Sequence, residues 1–128
     1  MRTLSSRIRR EIEKRDDELV QTARELTRSL RGDKRRQLRN IRDIAEGTDS
    51  WKALELFIRY QAARGEIDKE WAESAIQHLG GLQGMATSLA SQVVGTEARA
   101  VHLALASRVL GYAVRWHTWD TKAREVTE

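Results

Sequence analysis

The chain has 128 residues with no cysteine and no proline, a third of them charged, and a formal net charge of +4. That length makes one domain, residues 1–128, large enough to bury roughly two-thirds of its unfolded surface around a single core. The missing cysteines exclude disulfides and thiolate metal sites. The opening MRTLSSRIRR has no apolar core of signal-peptide length, and no apolar run approaches a membrane span. A soluble, cytoplasmic protein with no membrane partner is expected.

Apolar residues recur at three and four and β-branched residues are sparse, which predicts an all-α protein: a single compact bundle of five to six helices. The first helix is expected over residues 4–30, with Leu4, Ile8, Ile12, Leu19, Ala23, Leu26 and Leu30 on one side and a kink where the stripe breaks at Arg15 and Asp16. Gly32 can end it in the left-handed conformation, and Asp33 can cap the next helix, which runs to about Glu46 and buries Leu38, Ile41 and Ala45. Thr48, Asp49 and Ser50 are cap candidates for a third helix carrying Trp51, Leu54, Phe57, Ile58 and Ala62 inward, ended by Gly65. Asp68 can start a fourth with Trp71, Ala75, Ile76 and Leu79, closed by Gly80 and Gly81. A fifth presents Leu82, Met85, Leu89 and Val93 before Gly95.

The last helix opens at Thr96 and is apolar on two sides. Val101, Leu105, Val109, Tyr112, Trp116 and Trp119 share one, and Leu103, Leu110 and Val114 the other, so it is expected to lie centrally and mostly buried. Its polar edge bears Arg108, Arg115 and Lys122 at intervals of seven, a secondary basic line. Residues 1–15 and 123–128 are the segments expected to fray.

Catalysis and metal binding have no carrier in this pattern. His78, His102 and His117 do not form HExxH, and surface or partly buried roles suit them better than ligation. Asp16, Asp17 and Glu18 are adjacent rather than paired across a cleft, in keeping with a helix start, where the macrodipole favours negative charge. The run Gly80-Gly81-Leu82-Gln83-Gly84 lacks the strand and glycine order of a phosphate cradle. No enzyme, no cofactor and no metal are expected.

Charge is distributed unevenly. Residues 1–42 carry fourteen basic and seven acidic residues, and residues 43–128 carry nine and twelve. Between Arg24 and Arg42 stand eight basic residues, seven of them arginine, against Glu25 and Asp33 alone. Arg24, Arg28 and Arg31, then Arg35, Arg39 and Arg42, recur at three and four, so on helices they form stripes. Permanently charged, forked guanidinium groups suit phosphate oxygens, which makes a nucleic-acid backbone the natural partner. The competing expectation is a solvated face partly paired with Glu25 and Asp43. The stripe lacks the steeply crossed short helices and polar reading side chains of a helix-turn-helix, so sequence-indifferent, salt-sensitive binding is expected. Trp51, Trp71 and Trp116 are assigned to the core, while Trp119 stands between core and partner contact.

The arginine-rich helix Arg35-Arg36-Gln37-Leu38-Arg39-Asn40-Ile41-Arg42, the segment Ala53-Leu54-Glu55-Leu56-Phe57-Ile58-Arg59-Tyr60-Gln61-Ala62-Ala63-Arg64-Gly65 and the long helix from Ala100 to Trp119 together resemble the small-subunit family of multisubunit CRISPR effector complexes, over about residues 25–120. The resemblance implies a non-catalytic subunit of a guide-RNA-containing complex. Its copies would stack head to tail as a belly filament beside the backbone subunits and support single-stranded or hybrid nucleic acid. It implies Arg35, Arg39 and Arg42 as strand-facing residues, with Arg31, Arg59 and Arg64 as neighbours; Arg28 and Arg36 of the stripe complete the candidate nucleic-acid-binding set. The acidic Asp16, Asp17 and Glu18, like Trp119, would be candidates for docking to protein, since a head-to-tail contact needs two different surfaces. The alternatives are a free-standing helical DNA-binding accessory protein and a protein-interaction bundle with an acidic partner.

Overall fold

The structure, a computed structural model, describes the backbone of residues 4–127 and the side chains of residues 4–123. Among the described residues seven helices follow in order: α1 (Ser6–Glu13), α2 (Asp16–Thr27), α3 (Arg35–Gly47), α4 (Trp51–Ala63), α5 (Lys69–Gly80), α6 (Gln83–Ser91) and α7 (Ala98–Thr127). No strand occurs among the described residues. The first two are halves of the single helix expected over residues 4–30. It breaks where its apolar stripe does: Arg15 leaves helical geometry at φ −98° and ψ 5°, and its N–H turns back to the Ile12 carbonyl at 2.9 Å. Taken together, α1 and α2 make the bundle one of six helices.

Local chemistry sets most boundaries. Ser5 Oγ accepts from the Ile8 N–H at 3.3 Å to start α1, and Ser50 Oγ accepts from the Ala53 N–H at 3.1 Å to start α4. Gly32 and Gly65, at φ 70° and 78°, supply the left-handed turns after α2 and α4. Asp68 occupies the start of α5 but makes no capping hydrogen bond there. The expected fifth helix stops at Ser91, and Val93 is buried from the turn beyond it.

Along α7 the expected central burial holds as far as Ala113. Val101, Leu103, Leu105, Ala106, Val109, Leu110 and Ala113 are all buried, on more than one side, because α2, α3 and α6 pack around this stretch. Contacts give the directions. Asp16, Val20 and Arg24 of α2 meet Arg108, Trp116 and Asp120 of α7 in the same order, so these helices run parallel. Lys34 at the head of α3 meets His117, and Glu46 near its end meets Ser107, so α3 runs antiparallel. The short turn at Gly32 reverses the chain between them. Beyond Ala113 only His117 and Thr121 remain buried among the described side chains of α7, and the helix is covered on one side only.

Residues 6–13, placed among the segments expected to fray, form α1, with Ile8 and Ile12 buried and the helix packed on α6. Residues 1–3 and 128, and the side chains of residues 124–127, lie outside the described part of the chain. Trp116 is half-buried rather than fully in the core, and Trp51 is half-buried too. Trp51 packs over Gly80, where an added Cβ would stand 3.0 Å from its Cζ2, and beside His102, with ring centroids 5.1 Å apart. Gly80 is therefore a packing position as well as a helix end. His102 and His117 are buried, deeper than the surface or partly buried positions expected of them. The ring Nε2 of His102 lies 2.9 Å from the Leu79 carbonyl. No helix among the described residues is long and apolar enough to cross a membrane.

Candidate nucleic-acid interface

The basic residues of the stripe divide into two sets once their partners are counted. Arg24 is committed to the bundle: it donates to Asp120 at 2.7 Å, and its guanidinium lies 4.6 Å from the centroid of the Trp116 ring. Lys34 gives its backbone N–H to His117. Arg35 is clamped by Asp33, whose two carboxylate oxygens accept from Nε at 2.9 Å and from Nη2 at 2.7 Å. The Arg35 side chain and then its backbone N–H hold the Asp33 carboxyl well below the usual carboxylate range. The N-cap position of α3 is Lys34 rather than the expected Asp33; Asp33 instead accepts the Arg35 N–H at 3.1 Å from just before the helix and consumes a cation of the stripe in doing so.

Arg42 turns away from the stripe toward α7. It contacts Asp43 at 3.4 Å, which matches the pairing expected if the stripe were a solvated face, and its Nε lies 3.8 Å from Glu46. Arg28, Arg31, Arg36 and Arg39 form the second set. Each is exposed, and none makes an ion pair with any described residue. They lie at the corner where α2 passes into α3, one pair on each side of Gly32. Arg36 and Arg39 border an open hollow of about 360 Å³ with Gln37 and the Asp33–Arg35 clamp. Arg31 borders a separate recess of about 560 Å³ beside Asp68, Lys69 and Glu70 at the start of α5.

Of the three residues implied to face a strand, only Arg39 is therefore fully presented, while Arg35 and Arg42 are held by carboxylates. Arg59 on α4 is paired with both Glu55 and Glu73, which raise its already high pKa, Glu73 contributing most. Arg64 leans over Tyr60, 5.4 Å from its ring centroid.

The secondary basic line is also divided. Arg108 forks onto Asp16, with Nε to Oδ1 at 2.6 Å and Nη2 to Oδ2 at 2.9 Å. The guanidinium holds the Asp16 carboxyl below its ordinary value against the opposing effect of burial, and the Tyr112 hydroxyl assists. Burial, and then the neighbouring carboxylate, push Tyr112 up in turn. Asp16 is thus an internal fastening between α2 and α7, unlike the outward docking group expected. Asp17 and Glu18 remain exposed, Glu18 pairing with Arg15 at 3.2 Å. Arg115 is exposed, 5.3 Å from the Tyr112 ring centroid. Lys122 is exposed, one turn beyond Trp119, and Trp119 projects outward with two-thirds of its surface open, 67%.

Sequence reasoning missed two members of this surface: the clamp of Arg108 by Asp16, and the hollow that Val20 of α2 forms with the aromatic side of α7. A helix-start aspartate carries no mark of a partner 92 residues away. Among the described residues no cluster of histidine and carboxylate side chains is placed to hold a metal ion. Comparison with protein-family models, with curated proteins and with solved structures finds no match for this chain.

Proposed function

We propose that this chain is a non-catalytic helical subunit that binds nucleic-acid backbone without reading its sequence, and that it works as a small subunit of a multisubunit CRISPR effector complex. The observation that carries the proposal is the set of four exposed arginines, Arg28, Arg31, Arg36 and Arg39, that have no ion-pair partner among the described residues, at a corner where Arg24, Arg35 and Arg42 are each paired with a carboxylate. Four exposed guanidinium groups without a described carboxylate partner, beside three arginines that have one, suit phosphates arriving from outside. The surrounding elements support the reading because α2 and α3, on either side of the corner, are both fastened to α7.

The assembly follows from the family resemblance. Copies would stack head to tail beside the backbone subunits of a guide-RNA complex, with the arginine corner toward a single-stranded or hybrid nucleic acid. Arg35, Arg42 and Arg59 would hold shape rather than phosphate.

The test is fluorescence anisotropy of the chain with labelled single-stranded RNA, single-stranded DNA and duplex DNA of unrelated sequences at two salt concentrations. It is run beside a variant with Arg28, Arg31, Arg36 and Arg39 all changed to Glu. Sequence-indifferent binding that weakens with salt and is lost in the variant supports the proposal. Preference for one duplex sequence, or binding untouched in the variant, overturns it.

A further inference from the structure

The face of α7 beyond Tyr112 is built differently from the arginine corner. Trp116 is tied down: its Nε1 donates to the Val20 carbonyl at 3.0 Å, and Arg24 covers its ring. Trp119, three residues on, has neither constraint, is mostly exposed and makes no hydrogen bond with any described residue. With Val20, Tyr112 and Trp116 it lines an open, largely apolar hollow of about 280 Å³, and Arg115 stands among them.

Arg115 has no carboxylate partner among the described residues. It and Tyr112 also line a larger cleft of about 860 Å³ between α1, α3 and α7, where the buried Nε of Arg42 has no hydrogen-bond partner. An aromatic hollow and a cation-bearing cleft thus share a wall made by Arg115 and Tyr112. Two carboxylates beside the hollow are engaged, Asp16 by Arg108 and Asp120 by Arg24, while Asp17, one turn before Val20, is exposed. Glu13 and Glu46 line the larger cleft with Arg9, Arg42 and Arg108, and of these arginines and Arg115 only Arg115 also lines the aromatic hollow, which makes it the position for negative charge beside a ring held there.

A flat apolar ring with an anion attached at its edge fits this arrangement. We propose that the hollow stacks one unpaired nucleobase of a single strand against Trp119, with the adjoining phosphate on Arg115. A duplex keeps its bases stacked on each other and cannot offer that face, whereas every base of a single strand can, which makes the contact sequence-tolerant. The site lies on α7, apart from the α2–α3 corner, and adds selection between strand forms to simple backbone affinity.

The test uses the full chain with three labelled probes of equal length: a single strand, the same backbone lacking bases, and a duplex. Tryptophan quenching and anisotropy are both read. The base-bearing strand is expected to bind roughly tenfold more tightly than the abasic one. Trp119→Ala should erase that difference, and Trp119→Phe should retain most of it. The fourfold arginine variant should weaken both strands alike. If only that variant is without effect, the corner fails as a backbone site while the stacking site stands. Equal affinity for base-bearing and abasic strands, a preference that survives Trp119→Ala, or no binding of any probe overturns the stacking site. So does loss of self-association in Trp119→Ala with strand preference unchanged, which would assign the hollow to a second copy.

Discussion

The backbone N–H of Lys34 donates to Nε2 of His117 at 3.0 Å, joining the turn before α3 to the far part of α7. His117→Phe preserves the buried ring but leaves the Lys34 N–H without its acceptor. The expected loss is about 1–3 kcal/mol, read as a lower midpoint in urea unfolding with an unchanged slope. A variant as stable as the parent would show that the turn is held without this bond.

The Asp16–Arg108 fork predicts an acid limb in stability. A carboxyl whose folded pKa lies below its unfolded value stabilises the fold above the unfolded value, about 3.9, and that contribution disappears as pH falls through the folded one. Asp16 and Asp33 are both depressed, so melting temperature should fall steeply only below about pH 4. Asp16→Asn should cost about 1 kcal/mol at neutral pH, where the partly exposed pair is weakened by solvent. It should also shallow the acid limb, measured by thermal melts from pH 6 downward. An acid limb identical to the parent's would assign the effect to other carboxyls.

Gly80 and Gly84 differ in what a methyl group meets. At Gly80 the added Cβ falls 3.0 Å from the Trp51 ring, while at Gly84 no heavy atom lies within 4 Å. Gly80→Ala should therefore destabilise by about 1–3 kcal/mol through overpacking. Gly84→Ala, inside α6, should stabilise by about 0.5–1 kcal/mol through helix propensity. Thermal or chemical unfolding of the two variants gives opposite signs if Trp51 sits where described.

Neighbouring arginines of α3 should behave differently. Arg35→Ala removes the partner of Asp33 and should lower stability by a few tenths of a kcal/mol to about 1 kcal/mol. Arg36→Ala should leave unfolding unchanged and reduce the salt dependence of polyanion binding by about one phosphate contact. Equal effects of both on binding would mean that the Asp33 clamp opens when nucleic acid arrives.

Much of the fold was legible because helix periodicity and end chemistry are local. The apolar stripe broke at Arg15 and Asp16, and the helix broke there; Gly32, read as a left-handed stop, and Gly65, read as a helix end, both took positive φ. The central place of α7 followed from apolar residues on two sides of one helix. The outward turn of Trp119 did not follow, since burial on α7 depends on where neighbouring helices end. The division of the basic stripe was equally hidden: Arg35 and Arg36 are adjacent in sequence, yet one is clamped and the other is not.

The sequence by itself determined the all-helical class, the helices to within a few residues at their ends and the concentration of arginine between residues 24 and 42, because these depend on residue type and on spacings of a few residues. Tertiary structure withdrew Arg24 from the stripe through Asp120, made Asp16 an internal fastening, and placed Val20 beside Trp116. Such pairings join groups more than eighty residues apart, and only the packing directions of α2 and α3 along α7 bring them within reach.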